Sequence, residues 1–262
     1  MRENHMMIPL EEGENSIGYF SYAPPKNLIV FVHGFKGASE DTWGDFKHYI
    51  KNYTAYKESD IIFYGYPSLH AGASSHAAVF YSDIKNYICP PKQIFSMSRI
   101  SAANKYEKII FVAHSLGAIV ARRALLFAMN DECSWLQQTN LIVMAPAHNG
   151  TYVPKIAFEA LDKITKIVAP VAKFLIPVLN DLQYDSPAIK NLIADTEKAL
   201  KQSNCNYLKA DVIWAYKDKV VINERFGEDR TPEVVKDKTH ISVCKPIHVT
   251  YTKPYDFVTK KL

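Results

Sequence analysis

A chain of 262 residues, 48% hydrophobic and 22% charged, is long enough for one large α/β domain and has ordinary globular proportions. Its 31 basic and 27 acidic residues leave a formal net charge of +4 with no basic stripe, which gives no support to nucleic-acid binding. The four cysteines, Cys89, Cys133, Cys205 and Cys244, lie far apart without metal-ligand spacing, as expected of free, mostly buried thiols in a reducing cytosol with no metal and no cofactor to hold.

Met1 to Gly13 is charged and has no apolar signal core, so export by that route is not expected and a cytoplasmic setting is. Asn15 to Tyr22 reads as a strand that stops at Pro24-Pro25, and Leu28 to Val32 as a continuously apolar strand ending at His33-Gly34. Thr42 to Asn52 has helical spacing, with Trp43, Phe46, Tyr49 and Ile50 on one side. Ile61 to Tyr66 reads as a further strand, followed by a helix from Ser75 to Ile88; Ile94 to Lys105 reads as a polar connection or short helix. Lys108 to Ala113 is a buried strand running into a helix from Leu116 to Met129, and Asn140 to Met144 and Asp211 to Tyr216 are later strands. Apolar strands alternating with helices imply a mostly parallel sheet with helices on both faces.

Residues 150–201 break the alternation. They carry no strand signal but a long apolar stripe, Ala157, Ala160, Leu161, Ile164, Val168, Val171, Leu175 and Leu179, with a second helix from Ser186 to Lys201. The stretch is longer than a crossover needs, and we read it as a helical lid within a single domain spanning 1–262, with Leu175 and Leu179 facing an acyl pocket. Its most apolar run, Ile167 to Leu179, is too short to span a bilayer and is interrupted by Pro170, Lys173 and Pro177. Stable membrane insertion is not expected; transient contact with a membrane surface is compatible with it.

The most informative segment is Ala113-His-Ser-Leu-Gly117. An abrupt strand-to-helix turn strains the backbone of its central residue, Ser115, and lifts the hydroxyl above a helix N-terminus that favours negative charge. Small neighbours at −2 and +2, here Ala113 and Gly117, keep that turn free of clashes. A serine before a helix is often only an N-cap, but the apolar strand before it and the helix after it favour a nucleophile.

A serine nucleophile needs a base and an orienting acid. His240, in a loop after the last clear strand, is the leading base, with His248 close behind it; His33 and His114 sit in turns and suit geometry better than proton transfer. His148, in Pro146-Ala-His-Asn-Gly150, is a candidate substrate contact or lid anchor. For the acid, Asp218 follows the strand at 211–216, with Glu224, Asp229 and Asp237 as alternatives in the same chain order. An oxyanion needs fixed donors, and the backbone N–H groups of Leu116 and Phe35 are placed to supply them.

With these residues in hand, the chain resembles the α/β-hydrolase-fold serine esterases and lipases over about residues 15–258. Ala-His-Ser-Leu-Gly at 113–117 resembles the alanine-type elbow of some bacterial lipases. That core, together with Pro146-Ala-His-Asn-Gly150 and His240-Ile-Ser-Val-Cys-Lys-Pro246, is similar to a family of serine esterases in which the histidine before the Cys-Lys-Pro run is taken as the triad base. The resemblance implies hydrolysis of a small-molecule or lipid ester through Ser115, His240 and Asp218. An acyltransferase or thioesterase of the same fold, or a non-catalytic module, is the competing reading. Ala118, where a further glycine is frequent, and Asn223-Glu224-Arg225, in place of a Ser-Ala pair, depart from the family pattern.

Overall fold

The computed structural model describes residues 4–88, 106–151, 177–202 and 204–262. Eight strands form one sheet: β1 (His5–Pro9), β2 (Ile17–Ser21), β3 (Asn27–Val32), β4 (Ser59–Tyr64), β5 (Lys108–His114), β6 (Thr139–Met144), β7 (Asp211–Ala215) and β8 (Glu233–Val235). Their spatial order is β1-β2-β4-β3-β5-β6-β7-β8. The β1–β2 and β2–β4 pairs are antiparallel and all the others parallel. Every residue of β3 and β4 is buried, as a central parallel strand covered on both faces requires.

The helices are α1 (Phe46–Asn52), α2 (Ala73–Ile88), α3 (Leu116–Asn130), α4 (Pro177–Asp181), α5 (Pro187–Leu200) and α6 (Lys253–Thr259). Aromatic contacts show that they cover both faces. Phe31 of β3 pairs in register with Phe63 of β4 and packs against Phe46 of α1, ring centroids 4.8 Å apart. Phe111 of β5 is in register with Val30, so it points to the opposite face, where it meets Phe80 of α2 at 5.7 Å.

The order also locates the site. After β3 the chain adds β4 on one side, then returns to add β5 on the other. The connections leaving the C-terminal ends of β3 and β5 therefore diverge and leave a crevice between them. The loop at His33-Gly34 and the turn at Ser115 both open into that crevice.

Several expectations need correction. The helix expected over 42–52 is a 3-10 turn, Asp41–Trp43, followed by α1. The break falls at Gly44, whose φ is 54° and whose missing side chain makes room for the carbonyl of Pro246. Strands β1 and β8 were not expected: both are short edge strands in which exposed residues blur the apolar alternation. The connection read at 94–105, the centre of the proposed lid and Leu175 lie outside the described residues. Leu179 is described, and it sits in the main core among Val178 and Leu182 rather than facing a cavity. An apolar stripe dictates that a helix be buried but not against what. Helix α5 begins where Ser186 accepts the N–H of Ile189 (3.2 Å) and Pro187 supplies a preset first turn. Among the described residues, no helix is long and apolar enough to cross a membrane.

Candidate active site

Ser115 separates β5 from α3 with φ 54° and ψ −120°, a conformation unfavourable for any residue with a Cβ by about 1–2 kcal/mol. The surroundings enforce it. Its N–H donates to Met144 O of β6 (3.2 Å), and its carbonyl accepts from Ala147 N (3.2 Å) and Ala118 N (3.1 Å). A Cβ on Gly117 would stand 2.2 Å from Val32 O, so only glycine lets α3 leave the sheet this close to β3. A Cβ on Gly34 would lie 2.7 Å from the Cβ of Ser115, so the β3 loop presses its backbone directly against the serine.

One side chain from the loops beyond β7 meets Ser115, and a second holds it in place. His240 Nε2 lies 2.9 Å from Ser115 Oγ, and His240 Nδ1 lies 2.9 Å from Asp218 Oδ2. The carboxylate can only accept, which assigns the imidazole proton to Nδ1 and leaves Nε2 to accept from the serine hydroxyl. Asp218 Oδ1 is fixed by the backbone N–H groups of Val220 (2.8 Å) and Val221 (3.2 Å) in the turn after β7. The loop carrying His240 is held from below, where His114 Nε2 donates to the carbonyl of His240 (2.8 Å). Burial pushes the His114 imidazole down to about 3, so it serves as a neutral support.

Burial pushes the Asp218 carboxyl up, but the hydrogen bond and charge of His240 and the two backbone donors outweigh it, holding the group below the usual carboxylate range. The stabilisation linked to that ionisation is therefore complete above the unfolded value of about 3.9 and lost as pH falls through the lower folded value. The stability difference between wild type and Asp218→Asn, followed by urea denaturation from neutral to acid pH, is expected to shrink in that acid window. A difference that stayed constant with pH would contradict an ionised Asp218.

The remaining candidates are placed elsewhere. His248 is exposed on the surface, its Nε2 3.2 Å from Tyr53 Oη, beside the ring of His48. Glu224 is exposed, Asp237 pairs with Lys217 at 3.7 Å, and Asp229 forms a buried ion pair with Arg122. His33 donates from Nδ1 to Gly34 O (2.7 Å) and accepts Tyr66 N–H at Nε2 (3.2 Å), and burial lowers its imidazole to about 4. It locks the β3 loop. His148 is a correction: it does not line the catalytic cavity but is buried against Phe226, 4.4 Å between centroids, held neutral by burial and the nearby Arg122 charge.

A cavity of about 340 Å³ opens over Ser115 and His240, lined also by Phe35, Lys36, Thr42, Ile241, Cys244 and Lys245. Phe35 thus reaches the site as expected. The next two N–H groups of its loop are engaged, Lys36 by Ser68 Oγ (2.9 Å) and Gly37 by Gly34 O (3.0 Å). Leu116 is the first residue of α3, where a backbone N–H has no intrahelical acceptor. Sequence reading missed Ser68 and Tyr66, which brace this loop; the only signal was their position just beyond the end of β4.

The family model described as "Putative serine esterase (DUF676)" matches residues 23–223. None of the curated proteins compared matches the chain. Among solved structures, the mature form of Bacillus licheniformis lipase BlEst2 superposes with a TM-score of 0.55 at 16% identity, covering 97% of this chain and 96% of that one. The peroxisomal α/β-hydrolase Lpx1 of Saccharomyces cerevisiae gives 0.55 at 10% identity, covering 100% and 83%. A 2-hydroxy-6-oxo-6-phenylhexa-2,4-dienoate hydrolase from Rhodococcus gives 0.53 at 11%, covering 98% and 99%. At these identities the likeness establishes a shared α/β-hydrolase fold and leaves the substrate to the site itself.

Proposed function

The chain belongs to this serine esterase family, as an ester hydrolase on the α/β-hydrolase fold, and on that premise we propose that Ser115, His240 and Asp218 form its catalytic triad. The observation that carries the reading is the imidazole of His240, 2.9 Å from the hydroxyl of a serine at a strained elbow and 2.9 Å from a buried carboxylate. Ser115 Oγ attacks the carbonyl carbon of a small-molecule or lipid ester while His240 Nε2 takes its proton. The N–H groups of Leu116 and Phe35 receive the oxyanion. His240 then returns the proton to the leaving alcohol, giving an acyl-serine, and water drawn through the same base releases the acid. Asp218 keeps the imidazole in the required tautomer and stabilises its charged form.

We place residues 150–201 in this reading as a cap rooted beside the acid. Thr151, at the start of that stretch, bridges both Gln183, just after α4, and Val221, whose N–H binds Asp218 Oδ1. Asp181 Oδ2 of α4 accepts the N–H of Ala73 (2.7 Å), which ties α4 to the start of α2.

A fluorophosphonate probe tests the nucleophile directly. Wild type is expected to gain one covalent adduct, mapped by peptide mass to Ser115, and Ser115→Ala to gain none. A folded wild type that resists the probe, or an adduct mapped elsewhere, would overturn the assignment.

A further inference from the structure

The loop that carries His240 is also where aliphatic surface is concentrated in solvent. Ile241 is 48% exposed, Ile247 49% and Val249 78%, three of the ten exposed large hydrophobics among the described residues, within nine positions. Single exposed apolar residues need no explanation, but three within nine positions, the first of them lining a reactive cavity, do. Ile241 and Lys245 line that cavity.

The exposure is built in rather than incidental. Val249 has φ 71°, a region that β-branched residues rarely adopt. The turn around it is fixed: Ile247 and Tyr251 exchange two backbone hydrogen bonds of 2.9 Å, and His248 N–H donates to Asp45 Oδ2 (3.0 Å). A relaxed loop would give Val249 an ordinary conformation; this one is held in a strained conformation with the side chain left in water.

The segment's own charge is one-sided, with Asp45 the carboxylate that touches the turn. Residues 236–253 contain four lysines (236, 238, 245 and 253) and one aspartate (237), hence +3 of the chain's net +4. Lys253 pairs with Glu233, whereas Lys236, Lys238 and Lys245 form no ion pair among the described residues. Lys238 instead lies 3.9 Å over the ring of Tyr251. An aliphatic tip flanked by unpaired lysines matches an anionic lipid interface, whose surface potential attracts the lysines and whose acyl boundary accepts the tip. Three side chains cover far less than the roughly 800 Å² per partner of a stable protein interface, which disfavours a second copy of the chain as the occupant.

We propose that the Ile247–Val249 turn docks on an anionic lipid surface and sets the mouth of the Ser115 cavity against membrane-resident esters. The inference rests on the hydrolase reading and names its substrate class. Sedimentation with phosphatidylcholine vesicles, with and without phosphatidylglycerol, tests it. Wild type is expected to bind the anionic vesicles, more weakly as salt rises, and the Ile247→Ser/Val249→Ser double variant to bind them about tenfold less. Neither side chain lines the cavity, so turnover of a water-soluble p-nitrophenyl ester should be equal in the two proteins, while hydrolysis of vesicle-borne ester falls with binding. Wild type that fails to sediment, or sediments no better than the double variant, overturns the proposal. A change in sedimentation-velocity mass between the two would assign the turn to a second copy and overturn it as well. Vesicle binding is read without turnover, so an inactive wild type that still sediments would overturn the catalytic reading and leave the docking result standing.

Discussion

Ser115→Ala is expected to lower kcat on p-nitrophenyl esters by about 10⁴–10⁶-fold while leaving the fold intact. Among the described residues the hydroxyl makes one hydrogen bond, to His240, and its loss costs about 1 kcal/mol of stability. The strain at φ 54° is a backbone property that alanine would keep. His240→Ala should cost a similar factor, and the double variant little more than either, because a nucleophile without its base and a base without its nucleophile are equally idle. His248→Ala, which removes an exposed contact to Tyr53, should change kcat by about twofold at most. Retained turnover in Ser115→Ala would sink the triad. A larger loss in His248→Ala than in His240→Ala would move the base to the surface loop.

The parts of this arrangement that were legible in the sequence are those set by neighbouring residues. β3 and β5 are apolar runs from Leu28 to Val32 and from Ile109 to Ala113, and the Ala113-to-Gly117 turn carries its own signature of small residues, although the close approach of Gly117 to Val32 O exists only once β3 and β5 pair. The choice between His240 and His248, or between Asp218 and Asp229, depends on contacts across the sheet. His240 and Ser115 are 125 positions apart, and only the strand order brings their loops together. The insertion shows the opposite failure: the periodicity around Leu179 says that one face is buried, and the core, not a substrate pocket, is what covers it. Short edge strands such as β8, three residues long, are defined by a partner's ladder more than by their own pattern.

Arg122 was the least legible residue of all, one of two adjacent cations in a largely apolar helix that sequence alone would turn to solvent, and it underlies the second large effect. Asp229→Ala is expected to destabilise the protein by about 3–5 kcal/mol. The Arg122 side chain is fully buried; it donates from Nη1 to Leu208 O (2.5 Å) and from Nη2 to Asp229 Oδ2 (2.6 Å), with its guanidinium 4.4 Å over Phe226. Asp229 Oδ1 in turn accepts from Ala210 N (2.9 Å), immediately before β7. Removing the carboxylate leaves a guanidinium in the core with one partner. Burial pushes the Asp229 carboxyl above its usual range and outweighs the Arg122 charge that pulls it down. Buried ion pairs in general return little beyond their desolvation cost, whereas breaking one leaves an uncompensated charge. Replacing both partners by apolar residues, Arg122→Met with Asp229→Leu, should therefore cost less than Asp229→Ala alone, a sign that urea denaturation of the full double-mutant cycle reads directly. The pair also has a geometric role: α3 begins immediately after Ser115, and β7 ends three residues before Asp218. Where Asp229→Ala remains folded, kcat should fall by up to about 100-fold, because a shift of about 1 Å between those two elements opens the line from carboxylate to imidazole to hydroxyl. A single variant losing less than about 1 kcal/mol, or a double variant worse than the single, would show that the pair is not what pins the nucleophile's helix to the acid's strand.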